Sequence, residues 1–276
     1  MMSHGATVRI APAWHNRGRM PEREKEKVRD WFTRHAAAYT RNESQRSGPD
    51  LRRLLALLAP RPGERILDVG TAVGHTALAM AEAGARVTGV DLTLAMGAEF
   101  AANARARGVA GARFVAGDVE ALPFPDRAFD AVTCRRAAHH FPRPARAFAE
   151  VARVLRPGGR AGFVDMTVPE DPGAGALFNA LERARDPGHA RALPPSEWRR
   201  EVEAAGLRVE TLELLPDRVP WEQWLSPESP GGAADLEARR LLAAVPSAAR
   251  AVVAAGEDAG LLFLKTRIVL LARRTA

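Results

Sequence analysis

The sequence predicts an α/β fold, in which strands and helices alternate to build a mostly parallel sheet. Apolar runs of strand length recur between stretches with helical spacing, and this alternation continues as far as Asp165. The chain has 276 residues, of which 46% are hydrophobic, so it can bury the core of one domain of this class. Strands are expected near Ile66, Val87, Phe114, Ala131 and Ala161.

An extension and two helices are expected before the first of these strands. Residues 1–20 contain three arginines, no acid and several turn formers, which predicts either a flexible N-terminal extension or an upstream start codon in place of Met20. Apolar residues at helical spacing predict one helix from Pro21 and a second over residues 51–58. Residues 21–276 are therefore interpreted as a single domain.

The pattern changes after Asp165, where longer helical stretches replace the regular alternation. Two further apolar runs have strand character, and the segments around them have helical spacing. Helices are expected over residues 173–184, 196–205 and 235–255, and strands over residues 207–214 and 261–272.

Residues 65–79, RILDVGTAVGHTALA, carry the most informative motif. An apolar strand ends at Asp68, a turn runs from Gly70 to Gly74, and a helix follows, after which a second strand ends at Asp91. Glycines let the backbone approach a ligand, a helix N-terminus offers free N–H groups, and an acid after the second strand can bind ribose hydroxyls. This arrangement predicts a nucleoside site at the edge of a parallel sheet.

The spacing within the turn separates two kinds of nucleoside site. A dinucleotide fingerprint requires G-x-G-x-x-G/A, whereas this turn has Ala72 at the second position and His75 at the third. A G-x-G-x-G loop fits better, because Gly70 and Gly74 match it and Ala72 is a small replacement. A nicotinamide-dependent oxidoreductase is therefore the less favoured alternative.

The rest of the chain carries motifs that agree with the second kind of loop. Residues 112–127 read ARFVAGDVEALPFPDR, residues 129–134 read FDAVTC, and residues 150–165 read EVARVLRPGGRAGFVD. Together with the glycine loop, these resemble the class I S-adenosylmethionine (SAM) methyltransferases. The resemblance is strongest to the small-molecule enzymes related to ubiquinone and menaquinone biosynthesis, and it covers about residues 31–273.

Three further segments extend this resemblance to bacterial members of the group. They are residues 134–141 (CRRAAHHF), 185–189 (RDPGH) and 196–198 (SEW). The resemblance implies a Rossmann-like, seven-stranded, mostly parallel sheet with an antiparallel last strand, helices on both faces and helical lid insertions. Residues of about 60–166 would form the cofactor half, and residues of about 167–276 would form the acceptor lid and complete the sheet.

The resemblance also implies which residues bind SAM. Its methionine tail, ribose and adenine each have matching positions in this chain. They are Gly70, Thr71 and Gly74 at the tail, Asp91 at the ribose, Leu92, Met96, Asp118 and Val119 at the adenine, and Arg135 beside the amino group. Asp68 has two interpretations, a direct part in the cofactor site or a structural role in which it holds the N–H groups of the turn.

Adjacent histidines follow the fourth strand, at the edge where this fold places the methyl donor. Histidine titrates near neutral pH and can take a proton from a methyl acceptor. Two neighbouring residues on a turn do not easily point into one pocket, so His140 is the favoured catalytic base and His139 is assigned to the acceptor side. The alternative is that one packs in the core and the other caps the next helix. No metal site is expected, because no acid or cysteine lies at ligand spacing beside them.

Residues 182–189 (ERARDPGH) form a second candidate site, in the part of the fold that adds an acceptor lid. Arg185, Asp186 and His189 supply a cation, an acid and a titratable ring that could bind the acceptor. The equally open alternative is an ordinary helix end, with basic residues at its negative pole and Pro-Gly as its stop. Aromatic residues of the first helix either cover the cofactor or make an amphipathic contact, and they are Trp31, Phe32 and Tyr39.

Composition argues against several other classes of protein. The net charge of +7 comes almost entirely from arginine spread along the chain, without an aromatic-interleaved basic stripe, so no nucleic-acid partner is expected. The single cysteine, Cys134, excludes an internal disulfide. Neither a membrane span nor a signal peptide is recognised, which predicts a cytoplasmic protein. The oligomeric state is not readable from this sequence.

These observations predict a SAM-dependent methyltransferase whose acceptor is a small, apolar or aromatic metabolite. A SAM-binding protein of the same fold that does not methylate, either a sensor or another catalyst, is the second hypothesis, and the altered Ala72-Val73 pair favours it. The nicotinamide-dependent oxidoreductase is third, because the fingerprint fails and the GDVEALPF segment argues against it. Fold alone determines neither the acceptor nor whether O, N, C or S is methylated.

Overall fold

A nine-stranded sheet forms the centre of the fold. The computed structural model of the chain describes residues 7–10, 22–41, 46–256 and 260–275. The strands are β1 (Thr7–Ile10), β2 (Arg65–Val69), β3 (Arg86–Asp91), β4 (Ala112–Ala116), β5 (Phe129–Arg135), β6 (Leu155–Thr167), β7 (Leu207–Pro220), β8 (Ala254–Ala255) and β9 (Leu262–Arg274).

Helices connect and cover these strands. Two of the connections are single 3₁₀ turns, Val119–Ala121 and Ala138–His140. The helices are α1 (Glu22–Arg41), α2 (Pro49–Leu58), α3 (His75–Glu82), α4 (Met96–Ala106), α5 (Pro144–Val154), α6 (Pro172–Arg185), α7 (Pro195–Ala204), α8 (Trp221–Leu225), α9 (Ala233–Ala243) and α10 (Ser247–Val253).

The strand order in the sheet is β1-β4-β3-β2-β5-β6-β9-β7, with β8 paired to β9. Neighbours from β1 to β6 pair in parallel, whereas β9 pairs antiparallel with both β6 and β7. The predicted fold class is confirmed, since the seven strands from β4 to β7 in this order form a mostly parallel sheet with an antiparallel last strand. The order reverses between β2 and β5, and a reversal of this kind opens a crevice at the carboxyl ends of the strands.

The short strands β1 and β8 extend the sheet beyond the seven predicted strands. β1 lies within residues 1–20, where the sequence predicts a flexible extension, and it pairs in parallel with β4. This pairing covers the edge of β4, which would otherwise expose unpaired N–H and C=O groups. The other residues of 1–20 lie outside the described residues, so the extension stays a prediction there.

Two C-terminal elements differ from their predictions. β7 continues to Pro220 instead of ending near residue 214, because the strand keeps pairing with β9 after a bulge between Val209 and Thr211. The single helix predicted over residues 235–255 is wrong, since it divides into α9 and α10 with Pro246 between them. Proline has no N–H for a helical hydrogen bond and clashes with the preceding turn, which is why a helix ends before it.

Apolar side chains pack on both faces of the sheet and in a separate cluster at its C-terminal end. On one face, α3 and α4 bury Leu78 and Phe100. On the other, α5 and α7 bring together Phe148 and Trp198, whose ring centroids are 5.3 Å apart. The C-terminal helical cluster, made of α6, α8, α9 and α10, packs around Phe263 of β9. None of the helices within the described ranges is long and apolar enough to cross a membrane.

Candidate functional site

A cleft opens at the carboxyl ends of β2, β3, β4 and β5, where the strand order reverses. Its volume is about 990 Å³, counting the part that is open to solvent. The predicted site residues that line it are Asp68, Gly70, Thr71, Asp91, Leu92, Asp118, Val119, Arg135 and His140. The predicted site residues that do not line it are Gly74, Met96, His139, Arg185, Asp186 and His189.

The turn after β2 forms one wall of the cleft through left-handed backbone conformations. Gly70 has a φ of +63°, and a Cβ at this position would clash with Ala137. Ala72 has a φ of +46° and lines the cleft, so it adopts the conformation that favours glycine. Gly74 has a φ of +89°, and a Cβ there would lie 2.5 Å from the Phe100 ring. Gly74 therefore shapes the turn by packing and does not line the cleft.

Asp68 holds this turn through hydroxyl groups. The hydroxyl of Thr71 donates to Asp68 Oδ2 at 2.7 Å, and that of Thr133 donates to Asp68 Oδ1 at 2.7 Å. The N–H of Thr71 donates instead to the carbonyl oxygen of Val90 at 3.1 Å. Burial raises the pKa of the Asp68 carboxyl to about 6, although both hydroxyl donors favour its ionised form. Asp68 therefore holds the turn through hydroxyl groups, and it also lines the cleft, so its direct part in the cofactor site stays a prediction.

Asp91 connects the end of β3 to the same turn. Its Oδ2 accepts from the N–H of Ala72 and its Oδ1 accepts from the N–H of Thr93, both at 2.8 Å. Burial raises the pKa of the Asp91 carboxyl above its usual value. A carboxylate has about four lone-pair sites, so both oxygens keep capacity for the hydroxyl groups of a ligand.

Asp118 caps the 3₁₀ turn that follows β4. Its Oδ1 accepts from the N–H of Glu120 at 2.9 Å, and its Oδ2 makes an ion pair with Lys25 of α1. Lys25 also lies 2.8 Å from Glu120 Oε2. Glu120 in turn accepts from the backbone and guanidinium of Arg143 at 2.7 to 2.9 Å. Although burial raises the pKa of Glu120, the Lys25 ammonium and the Arg143 guanidinium hold it below its usual value.

Helix α1 forms the roof of the cleft. Lys25, Val28 and Phe32 line the cleft, and their spacing places them on one face of the helix. The ring of Phe32 contacts His140 edge to face, with centroids 4.9 Å apart. Trp31 is buried in the core beside α4, and the side chain of Tyr39 lies outside the described residues. Phe32 is predicted from the sequence as a cover, whereas Lys25 is not, although it lies two helical turns before Phe32 on the same face.

Of the two apolar residues predicted beside the adenine, Leu92 lines the cleft and Met96 does not. Met96 is the first residue of α4 and is 1% exposed, in the core cluster that also contains Val73 and Phe100. Met96 therefore belongs to the core under the cleft wall and not to the cleft surface.

Arg135 and Arg136 line the cleft, and both bind Asp50 of helix α2. Both guanidinium groups donate to the carboxylate of Asp50, at 2.8 to 3.1 Å. The two guanidinium groups outweigh burial and lower the pKa of Asp50 to about 2. Arg136 has a φ of +55°, and its N–H donates to the carbonyl oxygen of Val164. Asp50 and Arg136 are not predicted from the sequence, because Asp50 lies 85 and 86 residues from the two arginines that it binds.

His140 lies at the end of the cleft beside Phe32 and Ala137. Its Nδ1 is 2.9 Å from the carbonyl oxygen of Gly188, and a carbonyl only accepts, so Nδ1 carries the proton and Nε2 keeps a lone pair. Burial, together with the neighbouring His139, lowers the pKa of His140 to about 4. The ring is therefore neutral near pH 7, and its unprotonated Nε2 lies 4.0 Å from Asp186 Oδ2.

His139 faces away from the cleft, as expected when its neighbour on the same turn, His140, faces into it. Its Nδ1 lies 2.5 Å from Asp165 Oδ1, and its backbone N–H donates to Asp165 Oδ2 at 3.2 Å. The ring centroids of His139 and His140 are 4.0 Å apart. His139 thus binds the end of β6, and any part that it takes in the site acts through His140.

Of the three polar residues predicted in the second candidate site, only Asp186 is connected to His140. Arg185 donates to Glu182 at 2.5 Å and lies over the ring of Trp224, away from the cleft. Asp186 accepts from the N–H of Gly188 at 2.8 Å, which fixes the carbonyl that orients His140. His189 Nε2 is 2.8 Å from Asn179 Oδ1, and burial lowers the pKa of His189 to about 2. In the part of the chain that the structure describes, no three His, Cys, Asp or Glu side chains are grouped as a metal site.

Comparison with known proteins identifies the family to which this geometry belongs. The Methyltransferase domain family matches residues 67–163. The uncharacterized methyltransferase YcgJ of Bacillus subtilis strain 168 is 38% identical over 194 residues, which cover 70% of this chain and 77% of that protein. The chain belongs to the methyltransferase family. The demethylmenaquinone methyltransferase of Clavibacter sepedonicus is 30% identical to this methyltransferase over 202 residues, which cover 73% of this chain and 78% of the relative.

Solved structures carry the same fold. The crystal structure of YcgJ superposes on this methyltransferase with a TM-score of 0.73 and 33% identity, covering 82% of this chain and 98% of that one. The [4+2]-cyclase SpnF superposes with a TM-score of 0.64, covering 98% of this chain and 99% of its own, at 19% identity. A likeness at that low identity shows the fold alone.

Proposed function

We propose that this methyltransferase binds SAM in the cleft and transfers its methyl group to a small, apolar or aromatic acceptor. The observation that carries the proposal is the pairing of two carboxylates on neighbouring strands. Asp91 ends β3, and Asp118 follows β4 two residues after Ala116, the register partner of Asp91. Both acids line the cleft beside the glycine turn, where one could accept from the ribose hydroxyls of a nucleoside and the other from its amino group.

The cleft residues divide into three groups along a bound cofactor. Gly70 and Thr71 would meet the methionine tail, and the backbone of Arg135 would meet its amino group. Asp91 would accept from the ribose hydroxyls with the lone pairs that Ala72 and Thr93 leave open. The residues at the adenine would be Leu92, Asp118 and the N–H of Val119.

Catalysis in this arrangement rests mainly on alignment. Bound SAM supplies an activated methyl group with a good leaving group. The protein must hold an acceptor in line with that methyl, and positioning alone can contribute several kcal/mol. Where the acceptor carries a hydroxyl or an enol, the lone pair on His140 Nε2 receives its proton. His140 is held in this tautomer by the carbonyl of Gly188.

The walls near His140 support an apolar or aromatic acceptor. Val28 and Phe32 from the roof and Ala137 and Phe141 from the turn after β5 line this end of the cleft. Ring faces and methyl groups bind flat apolar molecules by burying their surface, and few polar groups are then needed to orient them.

Calorimetric titration with SAM and, separately, with NADH tests the cofactor. We expect micromolar binding of SAM and no binding of NADH. Asp91→Ala should weaken SAM binding at least tenfold, roughly the 1.4 kcal/mol expected for hydrogen bonds to a charged group. Asp126→Ala is the matched control, because the Asp126 side chain is 70% exposed and lies outside the cleft. Unchanged affinity in Asp91→Ala removes this residue from the proposed site.

A SAM-binding protein that does not methylate is the second candidate. The left-handed Ala72 in the glycine turn is the observation that favours it, because the turn departs from the usual loop of the family. The two candidates differ in turnover. A methyltransferase releases S-adenosylhomocysteine when an acceptor is added, whereas a sensor binds SAM and leaves it intact through a screen of phenolic, enolic and amine acceptors.

A further inference from the structure

The ammonium group of Lys25 lies inside the cleft, against the carboxylate of Asp118. Lys25 is 7% exposed, and lysine is almost never buried to this extent unless it is paired. The contact joins α1 to the turn after β4 across 93 residues of sequence. It therefore joins the roof to this end of the cleft.

The two oxygens of Asp118 have different partners. Oδ1 accepts from the N–H of Glu120 and completes the cap of the 3₁₀ turn. Oδ2 is bound by the Lys25 ammonium alone among the contacts of the described residues. Oδ2 is thus the oxygen that a ligand can take without unfolding the turn.

The carboxylate of Glu120 is the second ion-pair partner of Lys25. Its Oε2 is 2.8 Å from Lys25 Nζ, and the side chain is 1% exposed. Arg143 donates three further hydrogen bonds to Glu120, so this carboxylate stays paired whether or not Lys25 is present. Lys25 can leave Asp118 and keep one ion pair, at little cost to the surrounding turn.

We propose that the Lys25 ammonium occupies, on Asp118 Oδ2, the place of the cofactor's adenine amino group, and that cofactor binding moves Lys25 onto Glu120 alone. This inference rests on the proposed SAM site. Both groups are N–H donors, and they compete for one partly buried carboxylate oxygen. Lys25 is thereby a residue that sets cofactor affinity, acting through the acid that reads the adenine.

The test is calorimetric titration with S-adenosylhomocysteine, which needs no acceptor and carries no sulfonium charge. Lys25→Met removes the ammonium and keeps most of the stem, so we expect binding about tenfold tighter than in wild type, the effect of one charge-assisted hydrogen bond. Lys27→Met is the matched control, since Lys27 lies on the same helix, 55% exposed, and pairs only with Glu24 among the described residues. Lys25→Arg keeps the cation and should not tighten binding.

A double-mutant cycle separates this competition from a general loosening of the roof. In an Asp118→Asn background, residue 118 offers the Lys25 ammonium no carboxylate. Lys25→Met should then change the affinity for S-adenosylhomocysteine less than twofold. The same tenfold gain in both backgrounds contradicts the exchange, because the gain would then not pass through Asp118. Far-ultraviolet circular dichroism and the melting temperature check that each variant is folded.

Two further results overturn the inference. Weaker binding in Lys25→Met means that Lys25 helps to hold the ligand, and affinity equal to that of Lys27→Met means that no competition exists. Either result leaves the proposed SAM site standing, because the wild type still binds. A wild type that binds neither SAM nor S-adenosylhomocysteine contradicts the proposed function itself, and the inference falls with it.

Discussion

The imidazole of His140 is held neutral, and in one tautomer, by groups from three parts of the chain. The carbonyl of Gly188 binds Nδ1, the ring of His139 lies 4.0 Å away, and Phe32 covers the edge. Burial and the neighbouring histidine both oppose protonation of this ring. The neutral ring keeps a lone pair on Nε2 that can receive a proton from an acceptor, and its lowered pKa makes it a weaker base than an ordinary histidine.

Replacing this imidazole tests its chemical role. His140→Ala should lower turnover about 100-fold or more, the usual worth of a positioned general base, and leave SAM affinity near wild type. The measurement is S-adenosylhomocysteine release with an acceptor found by screening, beside a SAM titration. His189→Gln is the control, because His189 is buried but does not line the cleft. Full turnover in His140→Ala leaves this histidine a packing role alone.

The two buried histidines also predict how stability depends on pH. Their folded pKa values, about 4 for His140 and about 2 for His189, lie below the value of about 6.5 expected on unfolding. Between pH 6.5 and pH 4 the unfolded chain therefore binds protons that the folded chain does not, so stability falls as pH is lowered through this window. Asp68, with its pKa raised to about 6, acts in the opposite direction.

A variant isolates the contribution of one histidine. His140→Gln removes one proton-binding site. From pH 7 to pH 5, its free energy of unfolding should therefore fall by roughly 1 to 2 kcal/mol less than that of wild type. Urea unfolding at both pH values, followed by tryptophan fluorescence, measures this difference. An equal loss of unfolding free energy in the two proteins would show that His140 is not held neutral in the folded state.

At the scale of elements, the turn between β2 and α3 decides whether the cleft exists. Three of its five residues have positive φ, and Asp68 and Asp91 anchor it at both ends. Ala72 departs from the glycine pattern of the loop, yet its backbone keeps the left-handed conformation and its N–H still reaches Asp91. Alanine thus replaces glycine at position 72 without changing the path of the backbone.

Two substitutions in this turn should act in opposite directions. Gly70→Ala combines a φ of +63° with a Cβ that clashes with Ala137, so it should destabilise the protein by roughly 1 to 3 kcal/mol and weaken SAM binding. Ala72→Gly relieves a left-handed alanine and should leave stability within about 1 kcal/mol of wild type, with SAM affinity equal or higher. Thermal unfolding and calorimetry compare the pair. Tighter SAM binding in Gly70→Ala would contradict this description of the turn.

At the scale of the whole molecule, the sheet order collects the site from distant segments. The reversal between β2 and β5 leaves a crevice that no single segment forms, and α1 closes it from above. The loop between α6 and α7 contributes Gly188, whose carbonyl binds the ring of His140. Ligand binding at this junction should therefore stabilise the fold as one unit.

Thermal unfolding in the presence of ligand tests this coupling. At a SAM concentration about 100 times Kd, mass action adds about 2.7 kcal/mol to the free energy of unfolding. For a chain of 276 residues, that corresponds to a rise in Tm of roughly 5 °C. NADH at the same concentration should give no shift, and Asp91→Ala should reduce the shift produced by SAM. Equal shifts with SAM and NADH would contradict a site that is selective for SAM.

Much of the cleft could be predicted because its acids follow strands that local pattern reveals. Asp68 and Asp91 each end an apolar run, and Asp118 follows the next run after a glycine. Gly74 and Met96 belong to the same motif but turn into the core, since a motif indicates proximity and not the direction of a side chain. A Cβ at Gly74 would clash with the ring of Phe100, which the motif does not contain.

Contacts across long stretches of sequence could not be predicted in the same way. Lys25 reaches Asp118 across 93 residues, and Asp50 binds the two arginines across 85 and 86. Arg185 belongs to a promising motif, yet it pairs with Glu182 and lies away from the cleft. Side chains of this kind choose partners by packing, which depends on the angles between helices and the sheet and not on local spacing.

The sequence by itself determined the fold class, the strand that starts the cofactor half, and the acids at the strand ends. Periodicity and glycine placement are local properties, and they restrict the backbone before any tertiary contact forms. Only the tertiary structure decided that Lys25 meets Asp118, that Gly188 orients His140, and that His139 turns away. Those outcomes depend on which surfaces meet when the chain closes, because burial and partner choice are properties of the assembled core.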